Sequence, residues 1–327
     1  MKTLVQNTWY PILRSSRLRK KPITVERLGR RIAVWRTGDS VAAAPAACPH
    51  RGADLGAGRV LRNGCLECPW HGIQYASDGR ATFRPAEGAE ARITDRANLR
   101  TLPVCDHKGF IWLWHGAAEP SAPDWFDLPD PPVTVGAEQI WQVHYSRFME
   151  SALDFHHVPF VHRSYLPRIG QKMHDVVVDQ DGDRIKMTGA LATEDGRHRF
   201  PAEGEVLMPC TLRITAAGTT FVAAGTPVDE HRTWVAALYY PNFVATVPGL
   251  RRLEAAMGMF LDFKLFQRQD RAVFEGLPSG PTDLSDMTPM RADRGTIAWI
   301  RTWRQRLEAD STPTDARDGE TAEMVGS

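Results

Sequence analysis

Two short loops of similar make-up limit what this chain can fold into. Residues 48 to 52 read Cys-Pro-His-Arg-Gly and residues 68 to 72 read Cys-Pro-Trp-His-Gly, so each loop offers one thiol and one imidazole. Seventeen residues separate His50 from Cys68. The sequence around them is rich in short strand signals: Ile23 to Leu28, Arg31 to Trp35, Val41 to Ala46, and apolar runs around Val60 to Leu66 and Phe110 to Trp114. The pairs Gly38-Asp39, Asn63-Gly64, Asp78-Gly79 and Lys108-Gly109 punctuate them as turns. A small all-β domain of many short strands is the predicted result. Pro49, Pro69, Gly52 and Gly72 add turn chemistry that can bend both loops toward one point and expose backbone N–H groups there.

The chemistry of the loops follows from how the ligand types are mixed. A structural zinc finger pairs Cys with Cys and His with His within a knuckle, whereas a Rieske-type [2Fe–2S] centre has two Cys on one iron and two His on the other. The order C-x-H then C-x-x-H favours the second, with Cys48, His50, Cys68 and His71 as ligands. The remaining three of the five cysteines, Cys65, Cys105 and Cys210, have no such partners and read as small buried hydrophobes. An odd count without a secretion signal argues against a disulfide scaffold.

Charge and hydropathy exclude other classes. Forty Lys plus Arg stand against 39 Asp plus Glu, a formal net charge of +1, which leaves no footprint for nucleic acid or an anionic membrane. No apolar run approaches the roughly eighteen residues that span a bilayer, and polar residues and Pro interrupt the start where a signal peptide needs an apolar stretch. A cytoplasmic protein is expected.

From Gly116 to Pro132 the composition turns Pro-rich and polar, which predicts a boundary near residue 117. Beyond it a helix is predicted over Ser146 to about Val158. Antiparallel strands are predicted at Val176 to Val178, Arg184 to Leu191, Thr211 to Thr215, Phe221 to Val228 and Thr233 to Tyr240. A long helical pattern covers Leu250 to Glu275, with Leu253, Met257, Phe260, Leu261 and Leu265 on one side, and a further helix covers Gly295 to Glu308. The expected fold class is α+β: an N-terminal all-β domain over 1–116, an α+β domain with an antiparallel sheet and helices over 117–309, and a disordered tail over 310–327.

The second domain carries its own constellation, Glu150-x3-Asp154-x2-His157-x4-His162. On a helix, positions 150, 154 and 157 share one face. His162 falls on another side of an ideal helix, but Pro159 allows a bend that brings both imidazoles to one metal. Two His and one carboxylate leave open positions on Fe(II) for oxygen and substrate, so one more acid must arrive from elsewhere in the fold. Asp270 is the best candidate, with Glu275 and Asp262 in reserve. His156 points about 100° away from His157 on a helix and is read as a supporting or surface residue.

With CPHRG and CPWHG in this order, residues 7 to 116 resemble the Rieske domain of ring-hydroxylating and demethylating non-haem iron oxygenases, and with the downstream motif the resemblance extends to about residue 305. It implies Asp270 as the third ligand beside His157 and His162. It implies also that Asp154 is a catalytic bridge, hydrogen-bonding His157 and, across a subunit boundary, His71 of the adjacent subunit. The cofactors so implied are a [2Fe–2S] cluster and a mononuclear Fe(II), with O2 as co-substrate. No G-x-G-x-x-G element follows a strand, so electrons from NAD(P)H are expected through a separate reductase, with or without a ferredoxin. A head-to-tail ring, a homotrimer by resemblance, would place one subunit's cluster beside the next subunit's iron.

The chain length matches the shorter members that hydroxylate or oxidatively demethylate aromatic acids, alkaloids and related compounds; a ring dioxygenase forming a cis-diol is the alternative. A non-catalytic electron carrier would leave the second constellation without purpose, and a zinc-stabilised binding protein would contain no labile sulfide. The small-molecule pocket is expected among Phe148, Met149, Leu153, Tyr165, Tyr239, Tyr240, Asn242, Phe243 and Phe266.

Overall fold

Short strands joined by tight turns give the first third of the chain its shape. The structure, a computed structural model, describes residues 1, 3–90, 92–128, 135–216, 219–240 and 248–311. Ten strands come first: β1 (Thr8–Arg14), β2 (Ile23–Arg27), β3 (Arg30–Thr37), β4 (Ser40–Pro45), β5 (Arg59–Val60), β6 (Leu66–Glu67), β7 (Gln74–Tyr75), β8 (Ala81–Phe83), β9 (Val104–His107) and β10 (Phe110–His115). They form three small antiparallel sheets, ordered β1-β10-β9, β2-β3-β4 and β5-β6-β7-β8. Each expected turn pair lies at a chain reversal, and Gly38, Gly64, Gly79 and Gly109 all have positive φ. After β10 no helix or strand forms up to Leu128, in keeping with a stretch rich in Pro.

The second part is built on one sheet. Its elements are β11 (Val135–Trp141), α1 (Tyr145–Glu150), α2 (Val158–Val161), β12 (Lys172–Asp181), β13 (Arg184–Ala192), β14 (Arg199–Leu207), β15 (Thr211–Ala216), β16 (Thr219–Pro227), β17 (Thr233–Tyr240), α3 (Pro248–Leu261), α4 (Gln267–Phe274) and α5 (Arg294–Ser311). The strands pair antiparallel in the order β11-β17-β16-β15-β14-β13-β12. This is the α+β arrangement expected. The β11 and β14 strands were not expected, and β14, RFPAEGEVL, carries a Pro and three charged residues that weaken its strand signal.

Period-two alternation gives the middle of this sheet two unlike faces. Leu191, Phe200, Ala202, Leu212 and Ile214 line a cavity on one side. On the other, Arg184 pairs with Glu205, Lys186 with Glu203 at 3.2 Å, and Arg213 with Glu203 and with Glu205. Toward β16 and β17 the same outer face turns apolar, and there Leu238, Tyr240 and Trp234 cluster with Phe110, Trp112 and Phe126. Backbone bonds join the two parts as well: Leu28 N donates to Pro227 O and Gly29 N to Val228 O, both at 2.8 Å.

Two helix expectations need correction. The helix expected over Ser146 to Val158 ends at Glu150; a 3-10 turn covers Ser151–Leu153, and Asp154 leaves helical geometry at φ −112°, ψ 87°. Glu150 therefore does not share a face with Asp154. It is buried against Thr282, whose hydroxyl lies 2.7 and 2.6 Å from its two oxygens. The helix expected over Leu250 to Glu275 is interrupted by a π turn at Asp262–Phe266. On its first half Leu253, Met257, Phe260 and Leu261 lie exposed rather than against the core. The first two residues of the tail expected over 310–327 belong to α5, which runs through Ser311, and Asp310 accepts a hydrogen bond from Gln6 N at 2.6 Å. The rest of that tail, 312–327, lies outside the described residues.

Gly204 seats the broken segment. A Cβ on this β14 residue would stand 2.1 Å from the carbonyl oxygen of Ala152 and 3.0 Å from Phe155 Cζ. We expect Gly204→Ala to cost about 1–3 kcal/mol through overpacking, read as a lowered Tm, and an unchanged Tm would show that the 151–155 segment yields freely. Burial pushes the Glu150 carboxyl up to about 7, against the lowering effects of Thr282 and Arg147. An acid raised in the folded state is a source of instability that grows as pH climbs from its unfolded value to its folded one. Glu150→Gln should then be the more stable protein at pH 8, by on the order of 3 kcal/mol at 1.4 kcal/mol per pH unit. That advantage should vanish below about pH 4.5, and a pH-independent difference in denaturant midpoints would contradict it.

Candidate metal centres and active site

The two Cys/His loops fold alike because their sequences impose the same closures. In the first, Cys48 N donates to Ala53 O and Gly52 N donates to Cys48 O, both at 2.8 Å; in the second, Cys68 N donates to Ile73 O at 2.9 Å and Gly72 N to Cys68 O at 3.1 Å. Gly52 and Gly72 close the loops at φ 79° and 69°, a region in which a side chain is strained. Cys48 and Cys68 are buried, and the Cys48 thiol is among the groups that raise the Cys68 thiol. The Tyr75 hydroxyl lies 3.1 Å from Cys48 Sγ.

Burial raises the Cys68 thiol, while backbone N–H groups of Trp70 and His71 pointing at its sulfur oppose the rise. Donors aimed at a sulfur are what a cluster thiolate needs. The His50 and His71 rings meet edge to face at 4.6 Å. Burial, then the neighbouring His50 and Arg51, lower the His71 imidazole. Donors from these four residues do not all lie within 4.8 Å of one another, so they make no single-ion tetrahedron; a two-iron cluster suits the wider set. Of the other cysteines, Cys65 and Cys210 are buried as expected and Cys105 is half-buried.

The second centre is built by two pieces of chain far apart in sequence. His157 is the residue before the single turn of α2 and His162 the residue after it, so the turn itself brings the rings to 5.6 Å. Pro159 sits in the first turn of that helix, where a missing N–H costs nothing, rather than bending a longer one. Asp270 arrives from α4. Its Oδ1 lies 3.1 Å from His162 Nε2 and 3.6 Å from His157 Nε2. Ligand atoms of these three residues all lie within 4.8 Å of one another, the one such group of His, Cys, Asp or Glu among the described residues.

Each imidazole is oriented from behind. His157 Nδ1 lies 3.4 Å from Asp154 Oδ2, and His162 Nδ1 lies 3.1 Å from Gln269 Oε1. Both Nε2 atoms are left facing Asp270. Asp270 Oδ1 is nonetheless buried without a hydrogen bond, an orphaned state that a cation among the three side chains would relieve. The residues present therefore fit a divalent metal ion.

Asp154 also lies 2.8 Å from His156 Nδ1, and His156 Nε2 lies 3.4 Å from Asp293. Burial alone would raise the Asp154 carboxyl; hydrogen bonds and positive charge from His156 and His157 outweigh it and hold the group well below the usual carboxylate range. His156 is thus a direct partner of Asp154. The reserve acids are engaged elsewhere: Glu275 accepts from Gln142 N and from Arg271, and Asp262 accepts from the Tyr239 hydroxyl and from Gln267 Nε2.

A cavity of about 380 Å³ opens on this centre, and His157, His162, Asp270 and Asp154 all border it. The rest of its wall is largely aromatic and aliphatic, with Trp141, Phe148, Phe155, Phe200, Phe221 and Phe266 among it. Of the expected pocket residues, Phe148 and Phe266 line the cavity and Tyr165 lines an adjoining cleft. Met149, Leu153, Tyr239 and Tyr240 are buried in the core instead. Asn242 and Phe243 lie outside the described residues. Gln269 and the cavity residues from β13 to β16 escaped sequence reasoning, because ordinary strand alternation does not distinguish a cavity wall from a core. Asp262 also borders the cavity, and burial pushes its carboxyl up to about 6 against the lowering hydrogen bonds from Tyr239 and Gln267.

Known proteins agree with this picture. The family profile of the Rieske [2Fe-2S] domain matches residues 8–103. The chain is similar to the oxygenase component of dicamba O-demethylase from Stenotrophomonas maltophilia, 35% identical over 258 residues that cover 75% of this chain and 69% of the relative. It is 30% identical over 190 residues to the vanillate O-demethylase oxygenase subunit of Pseudomonas sp. (strain HR199 / DSM 7063), covering 55% of this chain and 51% of that one. Among solved structures, dicamba monooxygenase bound to dicamba superposes with a TM-score of 0.74 at 20% identity, covering 94% of this chain and 98% of that one. The QL mutant of NdmA of Pseudomonas putida CBB5 with caffeine gives 0.74 at 22% identity, covering 93% and 91%. A Rieske domain followed by an antiparallel-sheet α+β part, together with the extent of the match to the dicamba enzyme, shows that the chain belongs to the Rieske non-haem iron oxygenases.

Proposed function

We propose that this chain is the terminal oxygenase of a multicomponent system, using O2 and externally supplied electrons to hydroxylate or oxidatively demethylate a small cyclic or aromatic substrate. The observation that carries the reading is the meeting of His157, His162 and Asp270 on the wall of an apolar cavity. Residues 1–116 are the Rieske domain in this reading, with Cys48, His50, Cys68 and His71 holding the [2Fe–2S] cluster, and 117–309 are the catalytic domain, with His157, His162 and Asp270 holding a mononuclear iron. When bound, the cluster supplies single electrons and the mononuclear iron supplies open positions for O2.

The protein's own contribution is orientation and exclusion of water. Asp154 keeps the His157 proton on Nδ1, which leaves Nε2 free to ligate. Gln269 does the same for His162. The aromatic wall holds the substrate beside the centre and keeps bulk water from it. Hydroxylation of a methyl group on oxygen or nitrogen gives a hemiacetal or hemiaminal that collapses to formaldehyde, so hydroxylase and demethylase are one chemistry on different substrates.

The assembly proposed is a homotrimer in which His71 of one subunit is linked through Asp154 to His157 of the next. Support comes from the positions of these groups: His50 is exposed, His71 is half-buried beneath an exposed Trp70, and Asp154 lies 2.8 Å from His156 Nδ1 and 3.4 Å from His157 Nδ1. Electrons then come from NAD(P)H through a separate reductase, with or without a ferredoxin, and the protein works in the cytoplasm. Among the described residues no helix is long and apolar enough to cross a membrane.

Turnover of a substrate panel with labelled O2 tests the reading: label in a hydroxylated product, or formaldehyde released together with a label-free demethylated product, is expected, and neither from protein carrying both metals would overturn it. His157→Ala should keep the visible spectrum of the cluster and abolish turnover; loss of that spectrum would contradict the assignment of two separate centres. In Asp154→Asn both metals should stay bound while single-turnover oxygen chemistry slows by at least tenfold, and an unchanged rate would rule out the bridge.

A further inference from the structure

We infer that the cavity selects an aromatic substrate bearing a basic nitrogen, held at Asp262, over one bearing a carboxylate. The inference rests on the oxygenase reading above and names its substrate class. A carboxylate moved from water into an apolar cavity needs a cation or several donors to meet it. Among the described residues no Lys or Arg lines this cavity, and its two His are the pair that face Asp270. Strand alternation explains the lack of cations: Lys186 and Arg213 lie on the far face of the sheet, where they are bound to Glu203 and Glu205. The stretches 217–218 and 241–247 contain no Lys, Arg or His by sequence.

The wall does hold a surplus of acid. Asp270 faces both imidazoles of the centre, Asp154 faces His156 and His157, and Asp293 lies 3.4 Å from His156 Nε2. Asp262 is left over. Its Oδ2 accepts from the Tyr239 hydroxyl and from Gln267 Nε2 at 2.7 Å, and the Gln267 amide is itself fixed by Gln139 Nε2 at 3.0 Å. Two donors hold the carboxyl in a fixed plane, and it forms no ion pair with Lys, Arg or His among the described residues. It stands at the start of the π turn, on the cavity wall. A protonated amine on an otherwise apolar ring would supply the missing partner while its ring meets Phe148, Phe200 and Phe221.

The test is equilibrium binding to the metal-loaded protein without reductant, so that no turnover occurs, using three probes of one shape: 4-methoxybenzylamine, 4-methoxybenzyl alcohol and 4-methoxybenzoate. We expect the amine to bind at least tenfold more tightly than the benzoate, with the alcohol between them. Asp262→Asn should weaken the amine by tenfold or more and leave the alcohol within twofold. Benzoate binding as tightly as the amine would overturn the proposal, and a further loss of that binding on Arg168→Gln would place the anion in the adjoining cleft. Failure of all three probes to bind overturns it too, while turnover of any other substrate with labelled O2 would leave the oxygenase reading standing. The ranking on the unaltered protein does not depend on the variant folding. Amine binding with neither a labelled product nor formaldehyde would sink the oxygenase reading and keep the site.

Discussion

The departure of Asp154 from the helix is the constraint on which the catalytic half depends. Had the chain continued as a helix from Tyr145, His157 would have stayed on the face of Asp154 but His156 would have pointed about 160° away from it. Instead the backbone turns out of helical geometry, and one carboxylate reaches both His156 and His157. That single anchor fixes which imidazole nitrogen of His157 faces the centre. The short α2 turn then carries the orientation on to His162, and α4 closes the group with Asp270.

Legibility in the sequence followed the distance over which each feature is determined. The Cys/His loops could be read outright, because their ligands, prolines and glycines are neighbours and their closures are local. His157 and His162 could be singled out by type and spacing, yet the reason offered for their meeting was wrong: helical phase and a Pro159 bend were invoked where a broken helix and one separate turn do the work. Glu150 was grouped with them by the same mistaken phase. Asp270 lies more than a hundred residues away and needed family resemblance, since no local pattern distinguishes it from Asp262 or Glu275. What separates those three acids is tertiary: which donors have already claimed each carboxyl.

The sheet divides labour between its faces. Charged residues of β13, β14 and β15 neutralise one another on the outer side, so their presence in the sequence says nothing of the cavity's polarity. Counting charges along the chain would have predicted a mixed pocket. Alternation sorts them, and the inner face is left to carbon. The apolar wall and the ionic outer layer are two results of the same pleat.

The π turn at Asp262–Phe266 has a consequence for how this scaffold can vary. Each residue advances a helix by about 100°, so the wider turn offsets the phase of α4 relative to α3. Removing one residue there would restore a regular helix and swing Asp270 through about that angle, away from both imidazoles. A one-residue insertion or deletion in this stretch would therefore break up the centre. Side-chain exchange at the turn would not, which leaves the wall beside the metal free to change its chemistry while the ligand beyond it keeps its heading.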